Sequence, residues 1–448
     1  MQAACQKTTP VDEGRRGERM RILHIGFGTA PHLDELWMRD AALLGGLRDR
    51  GHEIRIAPFL APAPLDDYPG LRSGGVRFGR LNAWLDAKLP PWGRGPRLLR
   101  RVLDAEWLLR PAARFGLGPD PLRLGVRAES VASMAFAPGS REGGAALRAF
   151  AAAGPDAVSL ASPFLLPLAP LLRQHLGGPV LCAMGGEEEQ VEELPAEPRR
   201  DLLDRLRRNA PAAERFLVPD GAGARHAAGF LHLPPGRLAV VPPSVRLSEE
   251  TADPAPHAER SVFRIGFSAG VTRANGADVL IEAAGRLLRE AQGKLVRLEL
   301  AGPLPDRAFW RELRDRAAAH GLGTTAQYLG ELPGLVRRRW LRELDVVCLP
   351  AREGGAIGIG LLEALAEGVP AVATDRGLAS ALEEETEGVR LVPPEDPGRT
   401  MQALRAFLRQ PATRITTGRA AAAVVRERYS PDAAAAAFEA ALSSPLKN

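Results

Sequence analysis

Short apolar runs alternate with longer amphipathic stretches along this chain, and the alternation predicts its elements. Arg21-Ile-Leu-His-Ile-Gly-Phe-Gly28 is an apolar run that ends in glycines, the pattern of a buried parallel strand entering a loop. A helical stretch from Asp34 to Arg50 stops at Gly51, and His52-Glu-Ile-Arg-Ile-Ala57 reads as the next strand. After a stretch of weak periodicity, strands are expected at 156–160, 179–183, 215–218 and 238–241. Between them lie a helix running to Leu176, an acidic loop at 185–189 and a long helix over 199–209. The polar, proline-containing segment 248–260 reads as a linker. Alternation then restarts at Phe263-Arg-Ile-Gly-Phe267. It predicts helices at 277–290, 309–320 and 361–367, strands at 296–301, 327–329, 345–349, 370–373 and 389–392, and a last helix at 431–442. Strands and helices at this spacing predict an α/β protein of two Rossmann-like, doubly wound parallel-sheet domains facing a cleft.

The length of 448 residues agrees with more than one core. The expected organisation is a disordered tail over 1–19, an N-terminal domain over 20–250, a C-terminal domain over 261–428, and a final helical segment over 429–448. Residues 1–19 have no apolar core of a secretory signal, and no run is long enough to span a membrane. The cysteines Cys5, Cys182 and Cys348 match no metal or redox spacing. These features predict reduced thiols and a cytoplasmic protein. Only four of the 59 basic residues are lysine, so arginine is expected where lysine would serve elsewhere. Residues 72–127 hold twelve basic and four acidic residues, together with Trp84, Trp92 and Trp107. Such a block is either a solvated surface or a face for phosphates or an anionic membrane, which puts the protein peripherally at the inner face of the cell membrane. No P-loop, dinucleotide fingerprint or aromatic-interleaved RNA motif is present, so neither nucleic acid nor NAD is expected as a partner. No Asp-x-Asp pair calls for a metal, and no cofactor is expected.

The strongest motif is Gly354-Gly-Ala-Ile-Gly-Ile-Gly-Leu-Leu-Glu-Ala-Leu-Ala-Glu-Gly-Val-Pro-Ala-Val-Ala-Thr-Asp375. It resembles the donor-site signature of the family 4 retaining glycosyltransferases, which have the GT-B fold. Pro155-Asp-Ala-Val158, Val240-Val-Pro-Pro243 and Asn275-Gly-Ala-Asp-Val-Leu-Ile281 extend the resemblance over most of the chain. The chemistry suits the residues. A glycine turn lets a diphosphate approach backbone N–H groups at a helix start, where the helix dipole favours negative charge. The resemblance implies that Gly358 and Gly360, with Gly28 from the first domain, line the diphosphate, that Glu363 accepts from ribose hydroxyls, and that Glu353 orients the donor sugar. It implies a nucleotide diphosphate sugar as donor, held by the C-terminal donor domain, a glycan, lipid-linked or small-molecule acceptor, held by the N-terminal acceptor domain, and a final helix over 429–448 that crosses back to the first domain.

The chain also departs from that pattern. Position 355 is glycine, and the nearest upstream acid is Glu353, ten positions before Glu363. Gly270 and Asn275 stand where the family carries an arginine and a lysine. Arg273 is the cation of that loop, and with Asn275 it is assigned to assist the leaving group. Gly185 stands where a histidine or glutamine is usual, and Ser244 where a glycine is. His32 lies in the first loop, as an acceptor contact or a packing residue. Two readings therefore stand: a retaining glycosyltransferase that moves a hexose, and a catalytically degenerate protein that binds a nucleotide sugar, a glycan or a partner transferase without turnover.

Overall fold

The computed structural model describes residues 19–27, 35–59, 65, 68, 70–74, 102, 141–192, 194–248, 261–291, 295–352 and 358–444. Gly28, His32, Glu353, the three tryptophans of the basic block and residues 249–260 of the expected linker fall outside them.

The first sheet contains β1 (Arg21–Gly26), β2 (Glu53–Pro58), β3 (Arg72–Ser73), β4 (Ala157–Leu160), β5 (Val180–Ala183), β6 (Arg215–Val218) and β7 (Leu238–Val240). All seven strands are parallel, in the order β3-β2-β1-β4-β5-β6-β7. The helices between them are α1 (Glu35–Asp49), α2 (Arg141–Ala152), α3 (Ala169–Leu176), α4 (Glu187–Glu192), α5 (Ala196–Asn209) and α6 (Gly221–Leu231). The strand order reverses between β1 and β4, and ligands of such sheets bind beyond the carboxyl ends of the strands at that point. Leu23 and Ile25 pack on one face of the sheet with Phe164 and Phe216, while Ile22 packs on the other with Trp37 and Leu44. The apolar run therefore fills both faces, as a central parallel strand requires.

The second sheet repeats the plan with β8 (Val262–Ser268), β9 (Leu295–Ala301), β10 (Ala326–Gly330), β11 (Val346–Leu349), β12 (Ala371–Thr374) and β13 (Val389–Val392). Its parallel order is β10-β9-β8-β11-β12-β13. Around it lie α7 (Ala277–Glu290), α8 (Arg307–Ala319), α9 (Gly334–Arg342), α10 (Ile359–Ala366), α11 (Ala379–Glu385), α12 (Pro397–Arg409) and α13 (Pro411–Arg428). The chain ends in α14 (Pro431–Ser443), whose Ala434, Ala435 and Phe438 join the core that holds Trp37, Ala41 and Leu44 of α1. Ser430 caps this helix by accepting from the Ala433 N–H. Arg50 binds both Asp432 and Glu439, and His52 lies 2.9 Å from Glu439.

Among the differences from expectation, two adjoin each other in the first domain. The acidic stretch at 185–189 is a loop only to Gly186, because α4 begins at Glu187. Glu187 there is only 1% exposed. The long helix α5 begins at Ala196, three residues early. Pro198 lies in its first turn, where a missing N–H costs no hydrogen bond.

Candidate active site

The carboxyl ends of β8, β11 and β12 carry the donor-site motif. At the end of β8, Val271 is buried and its N–H donates to the Pro303 carbonyl at 2.7 Å. This anchors the loop that leads to α7. Asn275 closes the loop on itself, since its Nδ2 donates to the Gly270 carbonyl at 2.9 Å. Gly276 has φ 74°, and a Cβ there would lie 1.9 Å from the Pro350 carbonyl oxygen. A glycine is thus demanded twice, by backbone angle and by close approach. In the first turn of α7, Asp278 takes both arms of Arg352, at 2.7 and 2.9 Å. Arg352 also binds Glu395 and the Arg273 carbonyl. Burial alone would raise the Asp278 carboxyl, but the Arg352 guanidinium holds it below the usual carboxylate range. The Arg273 guanidinium pairs with Glu312 and stacks 4.7 Å above the Phe309 ring, both on α8. The loop's cation is therefore engaged by the outer helix.

Gly358 caps α10 with φ 90°, a left-handed conformation that favours glycine. Its N–H donates to the Glu35 carboxylate at 3.1 Å. Glu35 comes from the first turn of α1 in the other domain, so an anion from across the cleft already sits at this helix start. Gly360 has a different reason to be glycine. A Cβ there would lie 2.1 Å from the Ser268 carbonyl oxygen, so its smallness seats α10 against the end of β8.

Glu363 lies on α10 with its side chain 11% exposed. Its Oε1 accepts from the Arg337 guanidinium at 2.7 Å, while Oε2 has no hydrogen-bond partner among the described residues. Burial pushes the carboxyl above the usual range, and Arg337 opposes that rise. Arg337 belongs to α9, and its Nη2 also lies 3.4 Å from the Met38 sulfur of α1. The structure thus gathers Gly358, Gly360, Glu363, Arg337, Glu35 and Met38 at one end of α10. Asn275 and Arg273 lie in the neighbouring β8–α7 loop.

Across the cleft, the ends of β1, β4 and β5 hold a buried polar cluster. Arg39 donates to the Ala161 and Met184 carbonyls and pairs with Asp40. His24 faces Ser159 through Nδ1 at 3.2 Å and Asp40 through Nε2 at 3.4 Å. His24 is a core residue, as its place inside the first strand implied. Glu187 accepts from the Gly185 N–H at 2.6 Å, and burial pushes its carboxyl up to about 7. Sequence reasoning did not single out Arg337, Glu35 or Arg39. Arg337 is one of three consecutive arginines and lies 26 positions before its partner, so no local spacing marks it.

Residues 262–410 match the family model described as "Glycosyl transferases group 1". The match to the group 1 glycosyltransferases lies within the second domain. Among curated proteins, the chain is 28% identical over 241 residues to the D-inositol 3-phosphate glycosyltransferase of Kribbella flavida, covering 51% of this chain and 56% of that one. It is 36% identical over 120 residues to the lipopolysaccharide core biosynthesis mannosyltransferase LpsB of Rhizobium meliloti, covering 26% of this chain and 33% of that one. The chain therefore spans little more than half the length of the first of these relatives. The structure of Anabaena HepE in complex with UDP and glucose superposes with a TM-score of 0.65 at 14% identity, over 95% of this chain and 100% of that one. Sucrose-phosphate synthase from Thermosynechococcus elongatus superposes with a TM-score of 0.65 at 16% identity, over 94% and 98%. The fold is GT-B, and among the described residues the glycine-rich motif runs from Gly358 through α10 to β12.

Proposed function

We propose that this protein is a retaining glycosyltransferase that moves a hexose from a nucleoside diphosphate sugar to a glycan or lipid-linked acceptor. One observation carries the reading. The N-terminus of α10 is an anion site whose Gly358 N–H already bonds a carboxylate, and one turn on, Glu363 keeps a buried oxygen without a partner. An anion at a helix start is stabilised by the unsatisfied N–H groups and the helix dipole. The donor's diphosphate replaces the Glu35 carboxylate there, beside Gly358 and Gly360, and Glu363 Oε2 accepts from ribose. A nucleotide donor is supported by the structure of HepE, which shares the fold and was seen with UDP and glucose.

As the glycosidic bond breaks, negative charge gathers on the diphosphate, and preorganised donors there lower the barrier. The N–H groups of α10 supply part of this stabilisation. Arg273 supplies the mobile cation by exchanging Glu312 for phosphate, since its side chain is 57% exposed and the exchange costs little. Asn275 holds the loop that carries Arg273 closed. Glu353 orients the donor sugar. The polar cluster around Arg39 and Glu187 faces the acceptor side, and the basic, tryptophan-bearing block over 72–127 brings a lipid-linked acceptor by peripheral contact with an anionic membrane.

Calorimetric titration of UDP and other nucleoside diphosphates tests the donor site. A charge-assisted hydrogen bond to ribose contributes about 1.5–3 kcal/mol, so Glu363→Gln should weaken binding about ten- to a hundredfold. Equal affinity for wild type and variant would reject Glu363 as the ribose acceptor.

A further inference from the structure

Arg337 has a role beyond structure. We propose that Arg337 is a positioning residue for the donor nucleotide: its guanidinium pairs with Glu363 Oε1, fixes the carboxyl group, and so presents Oε2 alone to the ribose. This inference rests on the donor site assigned to α10.

A buried, desolvated carboxyl takes up a proton unless a cation or N–H donors compensate it. Glu363 is not at a helix N-terminus, because it lies one turn into α10. The structure gives its carboxylate one hydrogen bond among the described residues, the 2.7 Å contact from Arg337. Other charged groups approach from each neighbouring helix. On α9, Arg338 adds a second positive charge, and one turn along α10, Glu367 opposes it. Glu367 itself is held by Arg342. On α1, Glu35 is engaged by the Gly358 N–H. On α13, Arg426 donates to the Ala366 carbonyl at the far end of α10. Arg337 is thus the cation in contact with Glu363, and its own side chain is only 13% exposed. A buried arginine paired in this way resists exchange with solvent, unlike Arg273.

The consequence is chemical. Ionised Glu363 accepts from a ribose hydroxyl at full charge-assisted strength, whereas a neutral carboxyl accepts weakly and must place its own proton. The Arg337 contact with Met38 Sδ adds a link to α1, so the pair sits where the two domains meet. Without Arg337 nothing in contact opposes the effect of burial, so the carboxyl takes up its proton at higher pH than in the wild type and nucleotide recognition falls further at low pH.

The test uses the full chain and UDP, with affinities measured by calorimetry between pH 6.0 and 8.5. Ratios to wild type at each pH cancel the titration of the nucleotide's own phosphate. For Arg337→Leu the expected ratio is a loss of about tenfold or more at pH 6.0 that shrinks toward wild type by pH 8.5. Arg337→Lys, which keeps the charge, should stay within about threefold throughout. Arg337→Gln, neutral and of similar length, should follow the leucine variant and serves if that variant does not fold. A neutral variant with wild-type affinity at every pH overturns the proposal, as does a loss of equal size across the range, which marks a merely structural role. The Glu363→Gln arm separates the two levels. If Glu363→Gln weakens UDP binding while the neutral Arg337 variants do not, only the role of Arg337 falls. If Glu363→Gln binds UDP unchanged, the donor site on α10 falls and this inference falls with it.

Discussion

At the scale of single residues, burial governs how each carboxylate behaves. Glu187 is the clearest case outside the donor site. Burial, opposed by Arg39 and the Gly185 N–H, leaves its pKa at about 7 against a reference of 4.5. The folded chain therefore keeps this proton where the unfolded chain has lost it. The favourable contribution is complete below the unfolded value of 4.5, declines as pH rises, and is lost above about 7. Glu187→Gln keeps an oxygen for the Gly185 N–H and never ionises. Its stability relative to wild type should rise between pH 5 and 7.5 by up to about 3 kcal/mol, read from urea unfolding at each pH. A difference that does not change with pH would show that Glu187 is compensated in the native state. The sequence marked Glu363 because it sits in a long motif whose glycine turn and helix start fix its place. It could not mark Arg337 or Glu35. Both reach the site from other elements, and nothing in their own neighbourhoods distinguishes them from surface charges.

At the scale of elements, hydrophobic periodicity made most strands and helices legible, because parallel strands buried on both faces leave short, unbroken apolar runs. Strands β6 and β13 and helix α7 have the boundaries that the pattern gives. It failed where alanine, glycine and threonine blur the contrast between faces. Helix α13 is one example, with Thr417, Gly418 and Ala421 buried among residues of weak hydrophobicity. It also failed at α4, where three consecutive glutamates read as a loop although the first of them turns inward. The start of α10 has a consequence for binding. If Glu35 and the diphosphate compete for the Gly358 N–H, removing the charge from Glu35 should favour the ligand. Helix-terminal charge interactions of this kind amount to about 0.3–1 kcal/mol, so Glu35→Gln should tighten UDP binding about two- to fivefold by calorimetry. Weaker binding by the variant would instead make Glu35 a contact that the bound donor keeps.

At the scale of the whole molecule, the two sheets repeat one winding order, and α1 and α14 join them. Helix α1 brings Glu35 to the Gly358 N–H at the start of α10 and Met38 to Arg337, while α14 returns from the second domain to lie along α1. Gly46 makes this crossing possible, since a Cβ there would lie 2.1 Å from the Pro431 carbonyl oxygen. Gly46→Val should therefore lower stability by about 1–3 kcal/mol, visible as a reduced midpoint in thermal unfolding. An unchanged midpoint would mean that α14 contributes little where it crosses. The crossing helix was expected from a resemblance to a family, because the sequence of an alanine-rich helix does not say which partner it meets. The most direct measurement is proton NMR of the intact chain incubated with a panel of nucleotide sugars, following release of nucleoside diphosphate and the anomeric configuration of the sugar product. The account predicts that at least one donor releases its diphosphate and that the new anomeric centre first appears with the donor's own configuration. A panel left intact while nucleoside diphosphates still bind would contradict transfer, and a first product of opposite configuration would contradict retention.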